Sequence, residues 1–407
     1  MRAIHHRPIY SRYHALAALG FLFGVVYGIF SLTLPIFAGS IFANIAVLGA
    51  IFALPELIGV FIDIPLGAFS NRFGRRRTIL YSGLLLGLSA LAFIAFRHPV
   101  LFVLALVLYE VATQAYIIPA DAELMAISPP RRTGRFNGFV EGLHNFGFSI
   151  GPIFAGLLLT RSTGEPFWLA IGVVGVMLVI TFVSLPREEH AETFRAAVDH
   201  LWRRDRVFRA SFAEFVQMGF TGMYLTFLFF IFALHWGFVA LMEPLYTDAL
   251  GFSGQLIGLI YAGFTIPFLV VSILTGRYLD HGSAKTVSVL GLALMAASTI
   301  GFGLTVDPWW LFGWALVAGT GDALLLPAVM SVLDRLSSYQ KKEHIAGVKV
   351  FAESLGYFLG PLVAGFAVAA FGFQTTFLYL GVLLSVLPLV TLTVPFRADR
   401  YEVATAG

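Results

Sequence analysis

Twelve apolar runs follow one another along this 407-residue chain with only short polar breaks, each about long enough to cross a ~30 Å hydrocarbon core as a helix. They lie at 13–37, 44–67, 78–96, 99–122, 138–160 and 166–186, then at 221–247, 254–276, 285–305, 309–331, 347–371 and 374–395. Nothing else constrains the fold as much. In hydrocarbon every backbone N–H and C=O needs a partner within the protein, which leaves helices or closed barrels. A barrel alternates apolar and polar residues over ~10-residue strands, whereas these runs are continuously apolar. The expected fold class is therefore an all-α membrane protein of twelve transmembrane helices. Composition agrees, with 12% charged residues against roughly 25% in a soluble domain.

No cysteine is present, so disulfides and thiolate metal sites are excluded. The first run follows Arg2, Arg7 and Arg12 as a signal peptide would, but it is too long for a signal core and no small-residue cleavage site follows. It is read as a retained helix. The net charge is +3, yet the cations are not arranged for nucleic acid. With the loops placed alternately on two sides, all but Arg97 and Arg161 of the 26 Lys and Arg fall on the side that holds both termini, or at its helix ends. The positive-inside rule makes that side cytoplasmic. The expected location is a cell membrane crossed many times, the cytoplasmic membrane of a bacterium, with membrane lipid as a partner and no nucleic acid.

The stretch GFSIGPIFAG at 147–156 returns as GYFLGPLVAG at 356–365, an offset of 209 positions. The same offset pairs Pro35 with Pro244, Gly49 with Gly258, Gly67 with Gly276 and Gly138 with Gly347. Six spans are thus written twice in the same orientation, an internal repeat of the kind found in secondary transporters. The organisation this predicts is an N-terminal six-helix bundle at 1–186 and a C-terminal one at 221–407, related by a pseudo-two-fold axis. A charged cytoplasmic linker at 187–220 joins them, with an amphipathic helix lying on the membrane surface.

Three features carry a resemblance to the major facilitator superfamily over nearly the whole length. GAFSNRFGRRRT, 67–78, is similar to that family's loop between helices two and three, with Asn71 where an aspartate is usual, and GRYLDHGSAK, 276–285, is a weaker echo that keeps Asp280. The block beginning at Gly138 resembles the family's fifth-helix antiporter signature, with Ala155 replacing one glycine. Independently of any family, glycines four apart let a neighbouring backbone approach, and a proline bends the helix. The repeated block is therefore expected to form bent, closely packed helices where the two halves rock. The third feature is a departure: LVLYEVATQAY in the fourth span has Glu110 near the place where exporters of the family often carry an arginine.

The resemblance implies that helices 3, 6, 9 and 12 support the outside while the rest line a central cavity. In agreement, those four spans hold no Asp, Glu, Arg or His in their interiors. Elsewhere lie Glu56, Asp63, Glu110, Asp121, Glu141, His144, Asp322 and Glu353. A carboxylate costs roughly 2.5–3.5 kcal/mol at a helix centre, so such groups should face protein or water. Glu56 and Asp63 share a face, as do Glu110, Gln114 and Asp121, and Glu141, His144 and Asn145 cluster. A carboxyl group stripped of water favours its protonated form, which makes mid-depth Glu56 and Glu110 the leading proton-coupling candidates, with Glu141 and His144 beside them. Tyr27, Gln114, Asn145, Trp236, Asp322 and Glu353 are candidate substrate contacts, although Tyr27 and Trp236 equally suit packing. The resemblance further implies a cytoplasmic gate in which Arg75 pairs with Asp121 or Glu123. Asp63, Gly67, Asn71, Arg72, Gly147, Gly151, Pro152, Gly276, Asp280, Gly356, Gly360 and Pro361 complete the gating set.

These readings favour a proton-coupled secondary transporter that exports a small amphipathic or cationic organic compound by alternating access. It is expected to act as a monomer, with the proton as coupling ion and no other cofactor. A nutrient symporter, a lipid transporter or a metal-ion exporter using Glu141, His144 and Asn145 are alternatives of the same fold, and a membrane scaffold or sensor is the alternative outside transport. No paired nucleophile and base and no phosphate-binding glycine loop is present, so neither an enzyme nor an ATP-driven pump is expected.

Overall fold

The computed structural model describes residues 9–128, 133–186, 192–194, 219–279, 283–336 and 342–396. Among them are twelve helices and no strand. The first six are α1 (Ile9–Gly39), α2 (Ile45–Phe73), α3 (Arg75–Ala95), α4 (Pro99–Ile127), α5 (Thr133–Leu159) and α6 (Glu165–Ser184). The second six are α7 (Gly219–Ala249), α8 (Gly254–Leu279), α9 (Ala284–Leu304), α10 (Pro308–Leu336), α11 (Lys342–Phe371) and α12 (Phe373–Thr393). Eleven are long and apolar enough to cross a membrane, and in α2 the apolar stretch is the shorter Ile45–Gly59. Asp280 and most of the linker, with the amphipathic helix expected there, lie outside the described residues.

Local chemistry sets the helix ends. Proline opens α4 and falls in the first turn of α6, where its missing N–H costs no hydrogen bond. Gly74 turns the chain from α2 into α3 at φ 106° and Gly372 from α11 into α12 at φ 77°, a region that favours glycine.

The described residues fall into two compact units. One is drawn from Met1–Ala43, Ile58–Arg204 and Ser253–Gly258, the other from Asn44–Leu57, Asp205–Phe252 and Leu259–Gly407. The first stretch of α2 thus belongs with the second unit and the start of α8 with the first, which the expected boundaries at 186 and 221 did not foresee.

Within the first unit, α5 packs along α1 through small residues. A Cβ added at Gly24 would overlap the His144 carbonyl, one at Gly147 the Phe21 carbonyl, and one at Gly28 the ring of Pro152. In the second unit the repeat reproduces the arrangement, with Gly356 and Gly360 of α11 against Phe230, Leu234 and Phe238 of α7. The repeated block thus packs in two directions. Gly147, Gly151 and Pro152, and likewise Gly356, Gly360 and Pro361, bind a helix of their own half. The end of each block also meets a second helix, the Pro152 carbonyl and Gly156 facing α8 at Gly254 and Gly258 in the first unit and the Pro361 carbonyl and Gly365 facing Gly49 of α2 in the second.

The repeat also duplicates a helix-end contact. The buried Arg76, at the start of α3, donates to the carbonyl of Phe182 at 2.7 Å on the last turn of α6. Lys285, 209 positions later at the start of α9, donates to the Leu392 carbonyl at 2.6 Å on α12. Each cation satisfies carbonyls that a helix C-terminus leaves without partners and complements its partial negative charge. The outer faces of α6 and α12 carry exposed Trp168, Val179 and Phe182, and Val382, Leu383 and Leu389, as suits contact with lipid chains.

Candidate functional site

Polar side chains inside apolar helices are costly and so mark function by default. In the first unit they come from α4 and α5. Glu110 is buried, with 7% exposure, and its carboxylate accepts a 2.8 Å hydrogen bond from Gln114 one turn on. It therefore does not open onto water as expected of a chamber-lining acid. Tyr109 beside it stacks on Phe30 of α1 with ring centroids 4.5 Å apart. Nearer the end of α4, Asp121 is exposed and within electrostatic reach of Glu141 on α5. Glu141, also exposed, is in turn within electrostatic reach of His144. The half-buried His144 lies against Phe23 at 5.7 Å and Tyr27 at 6.5 Å. Half-buried Asn145 stands beside it and accepts Ser149 Oγ through its backbone carbonyl. Asp121, Glu141, His144, Asn145 and Tyr27 thus do gather, whereas Glu110 and Gln114 form a separate pair.

At the junction of α2 and α3, Arg75 pairs with one of the two acids expected for it. Its Nη1 reaches Glu123 Oε2 at 3.3 Å and the Ala122 carbonyl at 3.0 Å, not Asp121. Glu123 also pairs with Arg12 of α1. Asn71 takes up the place of the usual aspartate without a charge, its Oδ1 accepting Arg75 Nη2 at 3.2 Å and Nε at 3.3 Å. Arg72 pairs with Glu192 of the linker at 3.1 Å, and the Glu192 N–H donates to the Arg72 carbonyl at 2.8 Å. Phe194 packs on Phe69 and Phe73. Gly67 has only Ile118 near a Cβ placed on it, and Gly276 has no described atom within 4 Å of one, so close backbone approach explains neither. Asp63 lies on α2.

The second unit holds the groups that the sequence reading passed over. Asp322, expected to contact substrate, is instead wholly enclosed at 0% exposure, with His235 of α7 facing it. His235 Nδ1 stands 3.2 Å from both carboxylate oxygens, and Nε2 stands 3.2 Å from Thr299 Oγ1 on α9. Glu243, two turns further along α7, is 1% exposed and neither carboxylate oxygen has a hydrogen-bond partner among the described residues. Both His235 and Glu243 sit in an aromatic-rich run that carries no motif. Their legible signal was ionisable chemistry within an apolar span. Half-buried Trp236 packs edge-on to Phe268 at 5.0 Å and against Phe264 at 4.8 Å, a packing role of the kind weighed above. Glu56 and Glu353 are each half-buried in this unit.

Comparison with known proteins bears on what these groups serve. Multidrug resistance protein 1 of Bacillus subtilis (strain 168) is 30% identical over 165 residues, 39% of this chain and 42% of that protein. The tetracycline resistance protein, class C, of Escherichia coli is 26% identical over 336 residues, 80% of each chain. This chain spans only 36–42% of the length of the first curated relatives it matches. Among solved structures, the nucleoside transporter NupG superposes with a TM-score of 0.73 at 14% identity, over 94% of this chain and 100% of that one. At such identity the likeness speaks for the fold. The sequence pattern described as Major Facilitator Superfamily matches residues 16–242 and again 225–406, together almost the entire chain. With its duplicated six-helix plan and membrane-spanning helices, this chain belongs to the major facilitator superfamily of transporters.

Proposed function

We propose that the chain is a proton-coupled exporter of small amphipathic or cationic organic compounds, working by alternating access in the cytoplasmic membrane of a bacterium. One observation carries the reading: acids stand in the middle of transmembrane helices of a family transporter, and relatives of that transporter are named for drug resistance. An acid at that depth is repaid when it exchanges a proton for a cation. Resistance by a membrane transporter implies outward movement of the drug, which favours export over uptake. The exposed Asp121 and Glu141, with the half-buried His144 and Tyr27 beside them, offer a cationic, flat compound both charge and a ring face. On this reading the protein works as a monomer among membrane lipids, needs no cofactor beyond the proton, and catalyses no chemical reaction.

The test is transport by the purified protein in liposomes, with ethidium as a flat organic cation. An imposed pH gradient should drive ethidium accumulation, and Glu110→Gln or Glu56→Gln should cut the gradient-driven rate at least tenfold. Unchanged coupling in both variants would remove those two acids from the proton path.

A further inference from the structure

Within the second unit, three side chains from three helices meet where no water reaches. His235 lies near the middle of α7 and Asp322 near the middle of α10, and both are at 0% exposure. The hydrogen-bond pattern fixes how many protons they share. The Thr299 hydroxyl donates to the Met295 carbonyl at 2.7 Å, so its oxygen is left to accept, and His235 Nε2 must carry the proton that it donates to Thr299 at 3.2 Å. The other ring nitrogen, Nδ1, stands 3.2 Å from both Asp322 oxygens. Neither atom pair makes a hydrogen bond without a proton between them, and one proton there makes the pair neutral overall, whether it rests on the imidazole or on the carboxyl group. Removing it strands a lone carboxylate in a dry site, and adding a second strands a lone imidazolium. Either costs several kcal/mol.

We propose that His235, Asp322 and Thr299 form a gated proton-holding site, which keeps one proton while the helices around it are closed and releases it to water only when α7, α9 and α10 part. The inference rests on the proton-coupled reading and gives it a site of which the sequence pointed only to Asp322. The balance is simple: the proton between Nδ1 and the carboxylate leaves to water, and the pair passes from neutral to one negative charge. That charge is tolerated only when hydrated, so deprotonation favours the open arrangement and protonation the closed one. The surrounding elements are consistent with a one-proton switch. His235 is the charged group within electrostatic reach of Asp322 among the described residues. On α9 the near groups are the neutral Thr299 and Met295 carbonyl, and Glu243 stands two turns away on α7 itself.

The absence of native cysteine allows a direct test. Ala323, wholly buried beside Asp322, is changed to cysteine (Ala323→Cys), and its reaction with a small methanethiosulfonate reagent is followed in the purified protein across pH. Thiol ionisation raises any such rate with pH, so the rate is divided at each pH by that of the Ala323→Cys, Asp322→Asn double variant, and this ratio should rise with pH, no more steeply than about tenfold per pH unit for a single proton. Adding Asp322→Asn, which keeps the shape and removes the charge, should leave labelling slow, with only the pH dependence of the thiol's own ionisation. His235→Gln should displace the pH profile without abolishing it. A pH profile unchanged by Asp322→Asn, so that the ratio stays flat, overturns the proposal, with size-exclusion profiles establishing that each variant is folded. Gradient-driven ethidium transport, measured on the same preparations, reports separately on the exporter reading. If it is absent while labelling stays pH-dependent and sensitive to Asp322, the gated site stands and the exporter assignment falls.

Discussion

Glu123 binds two arginines from two helices at the end of α4, and it is 8% exposed. Asp121, two residues earlier, points elsewhere, because two residues are about 200° of helix rotation. The chemistry of the two acids is alike, so the difference is one of direction. Glu123→Gln should leave two partly buried cations without their counter-charge and lower stability by about 1–3 kcal/mol, seen as a reduced melting temperature. Asp121→Asn, at an exposed site, should change the melting temperature little. The reverse ranking would contradict the ion-pair assignment. Asn71 makes a related point: its neutral oxygen accepts two Arg75 N–H groups, so Arg75 is oriented at this loop without a second carboxylate.

At the scale of elements, the glycines of α5 and α11 set the distance to α1 and α7. Gly360→Leu should force apart backbones that touch within the second unit, since even an added Cβ would lie 2.5 Å from the Leu234 carbonyl oxygen. Overpacking of this kind costs about 1–3 kcal/mol or more. Gly138→Ala, where a Cβ would have no described atom within 4 Å, should be neutral or stabilising by about 0.5–1 kcal/mol. Thermal unfolding of the two variants checks the contrast. The helices and their duplication were legible because apolar length and a fixed offset of 209 are written directly in the chain. The role of the repeated glycine block was legible only in part. Spacing tells that a backbone comes close, but not which backbone, and α1 rather than the other half supplies it for Gly147 and Gly151. The choice between Asp121 and Glu123 was hidden for a similar reason, since depth along α4 is shared and the facing direction decides. His235 and Glu243 were hidden by their neighbours: a single ionisable residue among Phe, Leu and Ala leaves periodicity unchanged.

For the whole molecule, the helical plan is duplicated, but the most deeply buried acids and the buried His235 are not. At the offset that relates the two sixes, Glu110 corresponds to Gly319, Asp322 to Thr113, His235 to Val26 and Glu243 to Leu34. The first unit presents the exposed Asp121 and Glu141 with the half-buried His144, and the second encloses His235 with Asp322. Such a division suits a transporter that meets a cation in one unit and holds a proton in the other. The most direct measurement is proton movement during transport, followed with pyranine trapped inside liposomes that carry the purified protein. Ethidium added outside should drive protons in the direction opposite to its own movement, at a rate that follows ethidium uptake and is absent from protein-free liposomes. Ethidium that crosses with no change in internal pH would contradict proton-coupled export.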